Sequence, residues 1–511
     1  MAHSSNRMDA GLALSRFGLG ARQGDLDAIS SDPRGALLEE ITNRAVPFPS
    51  GEELKPTADL LADFYAFRDE QKEARERKPA DGTGAPQADP PQAPMASDQP
   101  GKPEAMAAQP TMEGARAGAS AAPSPAAPPP GNGAPAAKPI PPLPQRVFLA
   151  EAKARFSGTI HVPRIGFGER LAMFWANHFA VSAAKGPALR IIAGAFEREA
   201  IRPHVFGRFT DMLMAVETHP AMLLYLDNQQ SFGPNSVAGQ NRKRGLNENL
   251  AREILELHTL GVNGGYTQED VTSLARIITG WTVTGREGRL GSPGTFVFFG
   301  NAHEPGAQRL LGKTYVDAGL EQGRAALTEL ARHPATATHV ATKLARHFVA
   351  DDPPQALVER LANTFRTTEG DLAAVSKALI EADESWAPEL TKIRSPLEFI
   401  IAVLRATGAK PEPQQVLAAL YAMGEPLWQP AGPNGFSDTT DAWASPEGIR
   451  MRMDIANTAA TRGADYFDPP EFIDTRLGPL LSHETRAAVS RAESRAQGLA
   501  IAFMSPEFQR R

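Results

Sequence analysis

The sequence predicts a mainly α protein, a multi-helical globular body with a small β excursion near residues 296–315. Three observations support this class. Apolar residues recur at helical spacing along most of the chain. Helix start and stop signals, such as Ser395-Pro396 and Gly280, occur along the chain. Only residues 296–299 read convincingly as a strand. At 511 residues the chain is long enough to bury a large core with more than one helical layer.

Composition and charge exclude several classes of protein. The formal net charge of −6 gives no electrostatic case for a nucleic-acid partner. The absence of cysteine excludes disulfides, thiolate nucleophiles and cysteine-ligated metal sites. The N-terminal residues contain no apolar signal-peptide segment, and no stretch reaches the ~20 apolar residues of a transmembrane helix. We therefore expect a soluble, cytoplasmic protein, while export together with a partner stays open.

The chain is expected to contain three segments. Residues 9–78 form an N-terminal helical segment that packs on the main body, with one helix expected over 25–41. Residues 79–144 are rich in Pro, Ala, Gly, Gln and Ser. This composition cannot bury enough apolar surface to order itself, so it predicts a disordered insertion that serves as a linker more readily than as a membrane or partner element. Residues 145–511 form the main helical domain.

The main domain reads as a succession of helices. Those predicted most clearly cover residues 146–156, 169–181, 187–200, 203–218, 221–226, 321–332, 336–349, 354–367, 371–382, 395–407 and 493–504. Ser395 is a strong start because Pro396 follows it at the first helical position and Glu398 completes a capping box. Residues 310–315 are expected to pair with the strand at 296–299. Residues 424–443 form a long loop with two tryptophans, and such loops are often functional.

The stretch 245–283 concentrates polar residues in a regular frame. In its first helix, Asn249, Arg252 and Glu253 share a face with Glu248 and Glu256, opposite an apolar face that contains His258. The polar stripe suits a binding site, but i,i+4 salt bridges on a solvated face explain it equally well. Its second helix is predicted to begin at Thr267, with Asp270 in the first turn.

Several ionisable residues fall on or beside apolar helix faces. His178 and His258 lie in apolar stripes, where a histidine must find a partner or stay neutral. His204 and Asp211 share a face opposite a core face, which suits either a surface ion network or the wall of a cleft. Asp270 lies on the face of the apolar residues of its helix. A helix-start carboxylate satisfied by backbone N–H groups is the simpler explanation for it.

Together these residues predict a polar centre inside the helical body. The candidate catalytic residues are His178, His204, Asp211, Asn249, Arg252, Glu253, His258 and Asp270. A divalent metal such as zinc, iron or manganese would suit two or three histidines with a carboxylate, and the candidate ligands are His178, His258 and His303. No short-range ligand motif supports a metal, because HExxH is absent. Walker A, dinucleotide and GxSxG motifs are absent too, so cofactor and reaction stay unassigned.

Several segments carry a family resemblance. They are RFGLGAR at 16–22, ERLAMFWANHFAVS at 169–182, HPAMLLYLD at 219–227, NENLAREILELHTLGVNGGYTQEDV with ARIITGW within 247–281, RSPLEF at 394–399 and GEPLWQPAGPNGF at 424–436. These segments resemble the bacterial family catalogued as domain of unknown function 1800, over nearly the whole chain apart from the insertion. The family brings no established reaction or catalytic residue. It implies a bacterial origin and a frequent genomic neighbour, the sulfatase-like and often exported domain of unknown function 1501.

Two functional hypotheses follow. The first is an accessory or partner of that neighbour-encoded, sulfatase-like protein, favoured by the Pro/Ala-rich insertion and the absence of a recognised catalytic motif. The alternative is a metal-dependent enzyme, a hydrolase or oxidoreductase, with the His/Glu/Asp/Arg polar centre as its site. In that case the loop near Trp428 is expected to help cover the centre.

Overall fold

Local capping signals set where many of the helices begin. In the computed structural model, which describes residues 2–76, 141–242 and 245–511, Ser395 and Thr267 each form a capping box with the residue three positions later. Proline occupies the first turn of many other helices, where its missing N–H costs nothing. These signals are local in sequence, so the corresponding helix starts were predictable.

The described residues form 24 α-helices, which confirms the mainly α class. Their bounds are α1 Ala2–Leu12, α2 Asp25–Ile29, α3 Pro33–Thr42, α4 Thr57–Glu76, α5 Leu143–His161, α6 Phe167–His178, α7 Pro187–Phe196, α8 Phe209–Glu217, α9 Pro220–Tyr225, α10 Val237–Arg242, α11 Asn249–Glu253, α12 Gln268–Ile277, α13 Leu320–Arg332, α14 Pro334–Phe348, α15 Gln355–Thr367, α16 Leu372–Glu381, α17 Pro396–Thr407, α18 Pro413–Ala422, α19 Thr440–Trp443, α20 Pro446–Gly463, α21 Pro469–Arg476, α22 His483–Ser490, α23 Arg495–Met504 and α24 Pro506–Gln509.

Four short strands form two separate antiparallel hairpins. Strand β1 (Trp281–Val283) pairs with β2 (Phe296–Phe298), with Thr282 opposite Val297. Strand β3 (Gln308–Leu310) pairs with β4 (Lys313–Tyr315). The expectation that residues 310–315 pair with the strand at 296–299 is therefore wrong. Leu311 and Gly312 both have positive φ, which lets the chain reverse between β3 and β4.

Two predicted helices are interrupted. The helix expected over 25–41 is split into α2 and α3, because Pro33 starts a new helix that Asp32 caps. The helix expected over 203–218 begins only at Phe209, so His204 lies in a preceding 3₁₀ turn and not on the same helix as Asp211. The shared face expected for His204 and Asp211 therefore does not exist.

Three five-residue π-helical segments interrupt the regular helical spacing: Ala13–Phe17, Glu197–Ile201 and Ile254–His258. A π turn widens the helix and rotates the residues that follow it relative to an ideal α-helix. The second segment begins at Glu197 and the third ends at His258, and both side chains are buried. A helical wheel drawn for a straight helix correctly predicts that His258 faces the core, but Glu197 was not identified as a site residue from the sequence.

The described residues 2–70, 141–242 and 245–511 form one compact unit, called the first unit, and residues 71–76 fall outside it. The insertion predicted over 79–144 lies outside the described residues apart from 141–144, so its disorder stays a prediction. In the first unit, Phe17 packs against Phe167, Phe348 and Trp386, which joins the N-terminal helices to the main domain.

The core of the first unit consists of two hydrophobic clusters. The larger gathers residues from α1 to α16, and the smaller is built mainly from α17 to α24 together with part of α5. Trp428 packs against both clusters. Across the described ranges, no helix is long and apolar enough to cross a membrane.

Candidate functional site

Two predicted site residues, His178 and His258, lie side by side in the core. Both are buried, and their ring centroids are 6.4 Å apart. Nε2 of His178 donates to the backbone carbonyl of His258 at 3.2 Å, and Nδ1 of His258 donates to Oε1 of Glu217 at 2.7 Å. Glu217 is itself fully buried. The prediction that both histidines face the core is confirmed.

The environment of His178 favours the neutral imidazole. Burial lowers its pKa well below the usual value, and the neighbouring Lys343 lowers it further. Nδ1 of His178 and Nε2 of His258 are buried and have no hydrogen-bond partner among the described residues. Each ring therefore has one nitrogen in a hydrogen bond and one nitrogen without a partner in the interior.

The polar stripe of the stretch 245–283 forms side-chain contacts between two helices. Arg252 contacts Glu248 at 3.4 Å and donates to Oε1 of Gln268 at 3.0 Å, so it bridges α11 and the start of α12. Asn249 is exposed. Glu253 is half-buried, and burial raises its pKa. The geometry of Arg252 matches the salt-bridge interpretation of this stripe.

The other predicted site residues lie apart from the histidine pair. Asp270 completes the capping box of α12 and accepts the Leu311 N–H at 2.7 Å, which confirms the helix-start explanation. Asp211 is exposed and His204 half-buried. His303 bonds the backbone carbonyl of Thr279 at 3.0 Å. Within the described part of the chain, no three His, Asp or Glu side chains are placed to hold a metal ion.

A different feature stands out as a candidate site. A cavity of about 100 Å³ lies beneath residues 424–443, between α5, α6, α7, α14, α17 and α18. We call it the loop cavity. It is smaller than the ~150 Å³ cavity that holds benzene, so it has room for a ligand of only a few non-hydrogen atoms. The charged and ionisable side chains that line it include Arg155, Glu197, His347, Glu425, Asp438 and Arg511.

Arg155 and Glu197, which line the loop cavity, belong to a buried cluster of two arginines and two glutamates. Nε of Arg155 donates to both oxygens of Glu197, at 2.9 and 3.1 Å. Arg202 bridges Glu197 and Glu169, with N–O distances of 2.6 Å to each. Burial alone would raise the pKa of Glu197. The Arg155 and Arg202 charges and the indole N–H of Trp428 outweigh burial and lower it to about 2.

A second ion network also reaches the loop cavity, which His347, Asp438 and Arg511 line. Nδ1 of His347 donates to Asp438 at 3.0 Å, and its Nε2 accepts from Arg170 at 3.1 Å. Arg170 and Arg511 both pair with Glu398, the latter at 2.7 Å. Burial lowers the pKa of His347 to about 3, although the Asp438 charge opposes the shift. Both ring nitrogens of His347 are thus engaged, and the group positions Asp438 without carrying a charge.

Glu425 is the carboxyl group of the loop cavity without a salt bridge among the described residues. It is half-buried, and Oε2 accepts the backbone N–H of Leu397 at 2.7 Å in the first turn of α17. Burial raises its pKa, and the hydrogen bond from Leu397 and the charges of Arg155 and Arg452 only partly oppose the rise. The cavity therefore contains two carboxyl groups whose pKa values are shifted in opposite directions: the pKa of Glu425 is raised and that of Glu197 is lowered. Such a pair is typical of acid–base sites.

Hydrogen bonds from Asn177, Ser182 and Ala183 to its backbone hold the loop 424–443 over the cavity. The side-chain amide of Asn177 donates to the Phe436 carbonyl at 2.9 Å and accepts its N–H at 2.7 Å. The Trp428 carbonyl accepts the Ala183 N–H at 2.7 Å, and the Pro430 carbonyl accepts from Oγ of Ser182 at 2.9 Å. The rings of Trp428, Phe436 and Trp443 line the cavity beneath this loop.

Sequence reasoning missed most of this site. Arg155, Glu197, Glu425 and Arg511 come from four distant parts of the chain, and none of them was a candidate. The available signals were the length of the loop and its two tryptophans. The prediction that the loop near Trp428 covers a functional centre remains open, because that centre was expected around His258.

Comparisons with known proteins place the chain in one family. A search of curated proteins and a search of solved structures each found no match. A scan against protein families matches residues 12–510, nearly the whole chain, which agrees with the resemblance seen in the sequence. The chain belongs to the family described as Protein of unknown function (DUF1800).

Proposed function

We propose that the protein is an enzyme that acts on a small polar molecule bound in the loop cavity, with Glu425 as its proton donor. The observation that carries the proposal is a carboxyl group without a salt bridge in an otherwise ion-paired cavity. Its raised pKa supports protonation closer to neutral pH than an ordinary glutamate allows. The neighbouring Glu197 stays ionised because two arginines and an indole N–H hold its charge.

A cavity-filling variant tests whether the loop cavity binds ligands. Ala176 lines the cavity from α6 and is half-buried, so Ala176→Leu should occupy ligand volume without removing a hydrogen bond. We expect small polar compounds that raise the melting temperature of the wild type to lose this effect in Ala176→Leu. If no compound distinguishes the two proteins, the cavity is not a ligand site.

The role of Glu425 has its own test. Glu425→Gln keeps an oxygen that accepts the Leu397 N–H but removes the acidic proton. For a compound that is turned over, this variant should bind normally while kcat falls by ~10²–10⁴-fold, the usual contribution of a general acid. An unchanged kcat would remove Glu425 from the mechanism.

A second candidate function is that of an accessory to the sulfatase-like protein that the family resemblance implies. The observation in its favour is an apolar groove of about 780 Å³ between α17, α18 and α20, lined by Ile400, Val416 and Tyr466. The side chain of Tyr466 is 82% exposed. Exposed apolar grooves are typical of protein-binding surfaces.

Co-purification of the two proteins tests the accessory function. We expect association at micromolar concentration and at least a tenfold loss of affinity in Tyr466→Ser. Tyr421→Ser is the matched control, because Tyr421 is 75% exposed on α18 but does not line the groove. Absence of association in the wild type would exclude this function.

A further inference from the structure

The Arg155 guanidinium is buried but only partly satisfied. The residue is 4% exposed and lines the loop cavity. Among the described residues its hydrogen bonds run only from Nε, to the two oxygens of Glu197. Nη1 is buried without an acceptor. A buried N–H group without an acceptor costs about 1–3 kcal/mol of free energy. An oxygen of a bound ligand that accepts a hydrogen bond from Nη1 would remove this cost.

The charges around Arg155 also favour a ligand that carries an acceptor oxygen. Two further guanidinium groups, Arg394 and Arg452, are buried behind the start of α17, and within the described ranges they bond only neutral acceptors: backbone carbonyls, Ser15 and Gln509. Within the described ranges neither of these two guanidinium groups forms a salt bridge with a carboxylate, so no neighbouring carboxylate neutralises their positive charges.

The geometry limits the ligand to a single negative charge. A guanidinium with free Nη atoms matches the two oxygens of a carboxylate, which is the pairing that arginine forms best. A group with two negative charges would lie against Glu197, directly behind Arg155, and be repelled. The small volume of the loop cavity excludes a large anion.

We infer that the ligand of the loop cavity is a small monocarboxylate whose oxygens accept hydrogen bonds from the free Nη atoms of Arg155. This inference rests on the proposed function, because it names the ligand class of the same cavity. It assigns Arg155 as a binding residue and leaves the proton-donor role to Glu425. The raised pKa of Glu425 is consistent with a carboxylate beside it, since a protonated neighbour does not repel the ligand.

Acetate and acetamide provide a matched pair of probes, because they have the same shape and differ in charge. At constant ionic strength, acetate should change the tryptophan fluorescence of the full-length protein, since Trp428 donates to the same Glu197 that Arg155 holds. We expect acetate to bind at least tenfold more tightly than acetamide, and inorganic phosphate to bind more weakly than acetate. Acetamide binding as tightly as acetate, phosphate binding more tightly, or no acetate binding would each overturn the inference.

Two variants separate failure of the inference from failure of the proposed function. Ala176→Leu should abolish binding of both charged and neutral compounds, and Arg155→Lys should weaken acetate binding at least tenfold. If neutral compounds bind the wild type and not Ala176→Leu, while acetate binds neither protein, the cavity is still a ligand site and the monocarboxylate is rejected. If Arg155→Lys does not fold, the acetate–acetamide comparison on the wild type and Ala176→Leu still decides the question.

Discussion

Three histidines in this protein each donate one ring N–H to an oxygen, in surroundings that favour the neutral imidazole. His178 and His339 donate to backbone carbonyls, and His347 donates to Asp438. Burial lowers the pKa of all three. Glu217 and His258 differ, because two fully buried ionisable groups depend on one another at 2.7 Å. At the scale of the residue, stability therefore depends on keeping each polar group with its partner.

His258→Ala should destabilise the protein strongly. The variant leaves the Glu217 carboxylate buried without its hydrogen-bond donor, and breaking a buried pair costs ~3–5 kcal/mol of unfolding free energy. Urea denaturation measures the loss. His204→Ala is the control, because His204 is half-buried with no such carboxylate partner and should lose less than about 1 kcal/mol. Equal losses in the two variants would contradict the importance of the Glu217–His258 pair.

Stability should fall as the pH drops from about 6.5 towards 4. Burial, together with the Lys343 charge, lowers the pKa of His339 from 6.5 to about 4. In this window the unfolded chain binds a proton that the folded protein does not, which favours unfolding at lower pH. His339→Gln should reduce the slope of unfolding free energy against pH by at most ~1.4 kcal/mol per pH unit. The same slope in wild type and variant would show that His339 titrates normally.

At the scale of the element, the loop 424–443 depends on side chains from elsewhere. Gly435 has a φ of +75°, and a Cβ at this position would lie 2.4 Å from the Asn177 carbonyl oxygen. The close approach that glycine permits is what allows the Asn177 amide to bond Phe436 in both directions. The loop thus has a defined conformation without regular secondary structure over most of its length.

Asn177→Leu should release this loop while leaving the helices folded. The substitution removes two hydrogen bonds, each worth about 1 kcal/mol net, so we expect a loss of ~1–3 kcal/mol and faster amide hydrogen exchange confined to residues 424–443. Mass spectrometry of the exchange locates the effect. Asn434→Ala, an exposed position in the same loop, should leave the exchange unchanged. Faster exchange throughout the first compact unit would instead show that Asn177 supports the core.

At the scale of the whole molecule, buried arginines hold distant segments together. Arg405 on α17 donates to the carbonyls of Gly20, Ile160, Val162 and Arg164, at 2.9–3.2 Å. These carbonyls belong to the N-terminal segment, to the last turn of α5 and to the chain between α5 and α6. One side chain therefore satisfies backbone groups that neither the hydrophobic clusters nor the helices can satisfy.

Arg405→Met should cost more than about 3 kcal/mol of unfolding free energy. The variant leaves four backbone carbonyls without their donor, and each unsatisfied buried group costs ~1–3 kcal/mol unless water reaches it. Arg462→Met, at an exposed position on α20, is the matched control and should change stability by no more than ~0.5 kcal/mol. A loss below 1 kcal/mol in Arg405→Met would mean that the two regions are joined by apolar packing alone.

The sequence by itself determined the helical class, the helix start at Thr267, the capping box at Ser395, and the burial of His178 and His258. Each of these depends on residues within one or two helical turns, so spacing along the chain is enough to predict it. The break at Pro33 is also local, since a proline favours the first turn of a new helix, and the expectation of one continuous helix overlooked it.

Only the tertiary structure decided where the loop cavity lies and which charges surround it. Arg170 and Glu398 pair across 228 positions of sequence, and Trp428 reaches Glu197 across 231. Hydrophobic packing is non-directional, so the helical pattern shows that a face is buried but not which distant face it meets. For these reasons the polar residues of 245–283 drew attention in the sequence, while the cavity is built around residues that no local pattern distinguishes.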